Sequence, residues 1–237
     1  MKVVSILSGG LDSTVLTYKL VDEYGNDNVS ALTFNYGQRH NIEIENAIKT
    51  CEKLGIAHKI IDISFLGEII APVSALSSTT EVEMPTIEDV LGDPQPPTYV
   101  PYRNMILNAI GFSFAESVGA EKIFSGLQVH DEYSYWDTTW DFINNMNSVS
   151  QLNRFHKITL EAPFADMSKK EEIDIGKDLN VPFEDTWTCY RGEVGNGACG
   201  TCPSCSERIM NFAKAGLKDP IKYETDIDWD KLLGELA

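Results

Sequence analysis

The chain has 237 residues, of which 43% are hydrophobic and 23% charged, ordinary values for a globular protein long enough to bury a core without disulfides. Nineteen Lys and Arg stand against 36 Asp and Glu, a formal charge of −17, and that field repels polyanions and excludes an extended nucleic-acid surface. The opening MKVVSILSGG holds too short an apolar run for a signal peptide and no apolar stretch of about 18 residues follows, so the expectation is a cytoplasmic protein without a membrane partner.

The apolar run 3–7 predicts a buried strand, followed by Ser8-Gly9-Gly10-Leu11-Asp12-Ser13-Thr14 and a helical pattern to about Tyr24, with Gly25 suited to its end. A second strand is predicted at 29–34, a helix from about His40 to Leu54 stopped by Gly55, and a third strand at 58–63. This alternation favours a doubly wound parallel sheet. Residues 64–98 turn to Ser, Thr and Pro and predict an irregular insertion or lid. Helical spacing returns at 103–118, strands are predicted at 121–126 and 158–161, and a helix at 168–179, capped by Ser168 with Glu171 three residues on. The division expected is an α/β nucleotide-binding domain over 1–185 and a helical metal-binding tail over 186–237.

A phosphate loop after a strand needs small residues, so that backbone N–H groups approach the oxygens, and a helix N-terminus for partial positive charge. Ser8, Gly9, Gly10, Ser13 and Thr14 meet that need, with Leu11 and Asp12 completing the run; neither the common NTPase loop nor the dinucleotide fingerprint is present. The plain alternative is a strand-to-helix turn capped by Asp12. Cys199, Cys202 and Cys205 form C-x₂-C-x₂-C, with Cys189 upstream, and four thiolates suit a closed structural Zn²⁺ site. An iron–sulfur cluster and a redox-active pair are the alternatives, the first disfavoured because no fourth Cys follows closely. Cys51 stands apart and reads as a small buried hydrophobe. His130 and His156 are not expected as ligands, since four Cys already satisfy the ion.

The string at 8–14 resembles the pyrophosphate loop of the ATP pyrophosphatases. Taken with Tyr36-Gly37-Gln38-Arg39-His40, Val100-Pro101-Tyr102-Arg103-Asn104, Gly126 and Asp131, Tyr135 and Asp137, Ser168-Lys169, Thr186-Trp187-Thr188-Cys189-Tyr190, the cysteine run with Arg208, and Ala215 to Pro220, the chain is similar to the 7-cyano-7-deazaguanine synthase family. That resemblance implies two rounds of ATP-dependent adenylation, taking a 7-deazaguanine carboxylate and ammonia first to an amide and then to a nitrile. It implies ATP with Mg²⁺ as co-substrate and Asp12 orienting the metal or the loop. Lys169 and Arg103 would stand against the phosphates, and Tyr135, Asp137 and Asp131 would bind the substrate. Without the resemblance, Lys169 reads as a helix-surface lysine and Arg103 as a structural arginine. A homodimer is the default expectation.

Two departures stand out. The family usually has Pro-Gly-Arg-Asn where this chain has Pro101-Tyr102-Arg103-Asn104, and Tyr-Pro-Asp-Cys-Arg where it has Tyr135-Trp136-Asp137-Thr138-Thr139. The second removes an Arg suited to a substrate carboxylate, while Asp137 remains for a guanine-like edge. Several readings stay open beside nitrile synthesis: an enzyme that stops at the amide, transfer to another amine, a sulfur-transferring relative, and a non-catalytic ATP-binding zinc module. The aromatic group Tyr133, Tyr135, Trp136 and Trp140 reads as core, with base stacking the alternative.

Overall fold

A computed structural model of the chain describes residues 1–39, 41–90, 93, 95–129, 135–192 and 197–236. In chain order they form β1 (Val3–Ile6), α1 (Leu11–Tyr24), β2 (Val29–Asn35), α2 (Ile42–Leu54), β3 (Ala57–Asp62), α3 (Phe65–Ile70), α4 (Ile87–Val90), α5 (Arg103–Val118) and β4 (Lys122–Phe124). There follow α6 (Trp140–Ser150), β5 (Thr159–Glu161), α7 (Lys169–Asp178), α8 (Pro203–Lys214) and α9 (Trp229–Leu236).

The five strands are all parallel, in the order β3-β2-β1-β4-β5, with Val3 opposite Val29 on one side and Lys122 on the other. Successive strand residues point to opposite faces, and the core divides accordingly. Val3 joins Leu16, Ala47, Ile173 and Phe212, from α1, α2, α7 and α8. Val4 joins Ile70, Ala115, Phe142 and Ile143, from α3, α5 and α6, on the other side. The doubly wound architecture expected from the sequence is the one observed. Cys51 is buried in the first of these clusters, as a small hydrophobe.

Three details differ from the sequence reading. Strand β4 is three residues long instead of six. The stretch 64–98 contains two short helices, α3 and α4, within its irregular path. Helix α6 was not expected. Its sequence is rich in Asn and Ser, weak helix formers, and it is held by the Thr139 hydroxyl accepting the Phe142 N–H at 3.2 Å and by packing of Phe142 and Ile143.

In a parallel sheet of this order, the strand order reverses between β1 and β4, and ligands bind beyond the carboxyl ends of the strands at that point. The connections leaving β1 and β4 meet there: a Cβ on Gly126 would lie 3.3 Å from the Ser13 nitrogen, so the two loops touch backbone to backbone.

Candidate active site

The loop between β1 and α1 is braced from within. Ser13 Oγ accepts the Ser8 N–H at 3.1 Å and lies 2.9 Å from Ser8 Oγ, which in turn accepts the Gly10 N–H at 3.1 Å. Gly9 holds φ +88°, and a Cβ there would sit 1.9 Å from the backbone oxygen of Glu43, so the first turn of α2 presses on the loop where no side chain fits. The Trp187 N–H donates to the Gly9 oxygen at 3.0 Å, tying the C-terminal region to the loop. Of the seven loop residues, Ser8, Gly10, Leu11, Asp12 and Ser13 line a cavity of about 340 Å³, while Gly9 and Thr14 pack behind it. That volume suits a small-molecule site.

Asp12 and Lys169 meet across this cavity. Lys169 Nζ donates to both carboxylate oxygens of Asp12, at 2.8 and 2.9 Å, and lies 3.9 Å from Glu207. The Ser168 capping box, in which Ser168 Oγ accepts the Glu171 N–H and Glu171 accepts the Ser168 N–H, starts α7 so that Lys169 turns inward. Lys169 is buried and faces the site, so the helix-surface alternative does not hold. Burial alone would lower its pKa, but Asp12, Glu207 and Glu172 outweigh it and hold the ammonium charged.

Glu172 is wholly buried one turn further along α7, accepts from Gln128 Nε2, and leaves its second oxygen without a partner. Burial first, then the charge of Asp12, pushes its carboxyl well above the usual carboxylate range. The sequence reading missed Glu172; its one signal was an acid four residues after a cap, which ordinarily marks a solvated helix start.

The far wall is aromatic. Arg103, at the start of α5, stands 5.9 Å from the centre of the Tyr36 ring, and both line the cavity with Tyr135 and Tyr190. Tyr135 shares a 3.0 Å hydrogen bond with Thr98 and stacks on Tyr99 with ring centres 5.9 Å apart. Asp137 is buried and does not line the cavity among the described residues; its carboxylate accepts the Asn104 N–H at 3.2 Å and so anchors the start of α5. Burial raises its pKa, opposed by Arg103. Asp131 lies outside the described residues, as do His40, His130 and Tyr133. Trp136 and Trp140 are 38% and 42% exposed, which departs from the core reading of the aromatic group. Tyr102 adopts φ +55° with its ring edge-on to Trp136 at 5.2 Å, and Trp136 Nε1 donates to Tyr99 at 2.7 Å.

The four cysteines converge. The sulfurs of Cys189, Cys199, Cys202 and Cys205 all lie within 4.8 Å of one another and are buried, an arrangement that can hold a metal ion. Backbone N–H groups of Thr201 and Cys202 donate to Cys199 Sγ, and that of Cys199 donates to Cys189 Sγ. Beneath them Arg208 is enclosed, pairing with Asp219 at 2.6 and 3.0 Å and donating to Thr186 and to the Phe183 carbonyl. Arg208 appeared in the sequence only as part of the motif run.

A glycine-containing loop at the switch point of a parallel sheet, with an acid–lysine pair over it, defines a nucleotide-binding α/β protein with its phosphate site at a helix N-terminus. Residues 2–216 match the family described as Queuosine biosynthesis protein QueC, and the chain belongs to that family. A 7-cyano-7-deazaguanine synthase of Caldicellulosiruptor saccharolyticus is 40% identical over 98% of this chain and 99% of its own length. Another from Caldicellulosiruptor bescii is 42% identical over 97% and 100%. Among solved structures, the U34-tRNA thiolase NcsA of Methanococcus maripaludis with its [4Fe-4S] cluster is similar with a TM-score of 0.47 and 17% identity, over 77% of this chain and 57% of that one. No helix among the described residues is long and apolar enough to cross a membrane.

Proposed function

We propose that this chain converts 7-carboxy-7-deazaguanine and ammonia into 7-cyano-7-deazaguanine, consuming two ATP through an adenylated acid, an amide and an adenylated amide. The observation that carries the reading is a single cavity shared by the phosphate loop, the Asp12–Lys169 pair and the Arg103 wall, in a chain matching such synthases along nearly its whole length.

The loop's N–H groups and the start of α1 would receive the ATP phosphates, and Lys169 would balance charge developing as pyrophosphate leaves. Around that one ammonium stand Asp12 and Glu207, with Glu172, whose carboxyl burial pushes well up, behind them. The surplus negative charge suits Mg²⁺ arriving with ATP, for which Asp12 is the nearest oriented carboxylate. Arg103 lines the same cavity and would neutralise the oxygen being adenylated. The rings of Tyr36 and Tyr135 offer faces for a purine-like base. With Thr139 engaged as the cap of α6, Arg103 is the cation left on this wall for the substrate carboxylate.

For the four cysteines we infer Zn²⁺ in a structural role. A tetrahedron with Zn–S bonds of about 2.3 Å separates its sulfurs by about 3.8 Å, and Cys199 and Cys205 lie 3.9 Å apart. A multi-iron cluster would spread its thiolates over separate irons and so further apart. Metal analysis and the visible spectrum of the purified protein distinguish the two.

The test is mass spectrometry of the products formed from 7-carboxy-7-deazaguanine, Mg-ATP and ammonium, with pyrophosphate counted. A nitrile and two pyrophosphates per product are expected. An amide as sole product, or no turnover, would overturn the reading and bring forward amide synthesis or a different acceptor.

A further inference from the structure

Glu43, at the start of α2, lines the cavity with Asp12 and Arg103, yet the steps above give it no task. Its position is fixed from behind, because its own backbone oxygen is the group that packs on Gly9 of the phosphate loop. Its side chain therefore reaches in from the rim of the loop toward the wall carrying Arg103 and Tyr36. A carbon adenylated on oxygen would lie between those two features, with its phosphate at the loop and its ring at the aromatic wall. Among the described residues the carboxylate of Glu43 has no hydrogen-bond donor engaging it, whereas Asp12 is bound by Lys169, Asp137 by Asn104 and Glu172 by Gln128.

We propose that Glu43 is the base that takes a proton from the substrate nitrogen in both rounds of the reaction, an inference that rests on the nitrile-forming reading above. In the first round ammonia adds to the acyl carbon. The N–H proton of the adduct passes to the Glu43 carboxylate, the C–O bond to AMP breaks, and the amide remains. In the second round the adenylated amide carries its proton-rich nitrogen at the same place. An N–H proton passes to Glu43, that electron pair completes the third C–N bond, and AMP departs with the C–O bonding pair. The second proton goes to water or to the departing phosphate, and Glu43 returns its own to solvent between rounds.

The electrostatics agree. Burial pushes the Glu43 carboxyl up to about 7, against the opposing pull of Arg103, a value that matches proton transfer near neutral pH. Beside Arg103, the other charged or titratable groups on the cavity wall among the described residues are Asp12, Tyr36, Arg39, Tyr135, Lys169, Tyr190 and Glu207. Arg39 is turned away to the carbonyls of Ala75 and Val82, and Lys169 is committed to Asp12.

The experiment uses the full chain with the 7-amide and Mg-ATP and no ammonia, so that ammonium titration does not enter. Nitrile formation by the unaltered protein should rise about tenfold per pH unit on the acid side and flatten near pH 7. Glu43→Gln should release one pyrophosphate in a burst and accumulate the adenylated amide. Nitrile formation should fall about 10²–10⁴-fold and the acid limb should disappear, while Glu43→Asp should keep the limb at a reduced rate. If the unaltered protein forms no nitrile from either acid or amide, the proposed function falls and this inference with it. If it does, the base assignment alone is overturned by a Gln variant that retains rate and limb, or one that loses adenylation and nitrile formation equally. Should the Gln variant not fold, a flat profile of the unaltered protein below pH 7 is the overturning result.

Discussion

Two ion pairs, one closed under the cysteines and one open beside the loop at 8–14, look alike in distance and differ in everything around them. Arg208 and Asp219 meet at 2.6 Å with side chains 1% and 0% exposed; Lys169 and Asp12 meet at 2.8 Å with side chains 10% and 28% exposed. All five N–H groups of Arg208 find acceptors, and Asp219 also receives Tyr223 Oη and the Ile221 N–H. Such closure fastens the tail to the sheet domain and leaves no capacity for a ligand. The second pair opens on a cavity and is surrounded by more carboxyl groups than it can balance. A satisfied pair holds a fold; an open one with surplus negative charge retains capacity for a further cation, such as the Mg²⁺ proposed above to arrive with ATP.

The sharpest way to break this contrast is to open the closed region. Cys202→Ser, or chelation of the bound metal, should cost up to about 10 kcal/mol of site binding that is coupled to folding. Loss of metal without a fall in melting temperature would deny the site its structural role. Asp219→Ala should follow at about 3–5 kcal/mol, because it strands a buried guanidinium, and denaturant titration would measure it. A loss below about 1 kcal/mol would mean that water reaches Arg208.

Lys169→Met should act in the opposite sense, lowering turnover about 10³-fold, equivalent to about 4 kcal/mol of barrier, with little change in melting. Unchanged pyrophosphate release would remove Lys169 from the site. The smallest effect is expected at Tyr102→Gly. Glycine relieves the left-handed backbone at φ +55°, but it loses the edge contact with Trp136 and adds freedom to the unfolded chain. These offset to within about 1 kcal/mol. A larger loss would assign the Tyr102–Trp136 contact a share in holding the aromatic wall.

The legible parts of the molecule share a local cause. The loop at 8–14, the end of α2 at Gly55 and the capping box at Ser168 are each set within a few residues, by small side chains, a left-handed glycine or a reciprocal pair of hydrogen bonds. Helix α6 was not legible, since Asn and Ser give it little propensity of its own and its stability comes from Phe142 and Ile143 entering a core built by distant strands. Asp137 shows the same limit within the site. The family resemblance offered it to a guanine-like edge, and nothing local announced that its carboxylate also accepts the N–H of Asn104 at the start of α5, 33 residues away in sequence.

By itself the sequence determined the alternation of strands and helices, the small-residue loop at 8–14 and the clustering of four cysteines, because periodicity, small residues and cysteine spacing act over a single turn or strand. Only the tertiary structure decided that Lys169 faces Asp12 across 157 residues of chain, that Glu43 enters the cavity beside Arg103, and that Glu172 is buried with an unpaired oxygen. Those properties depend on which charges end up together and how much water is left between them, and neither is set until the helices close on both faces of the sheet.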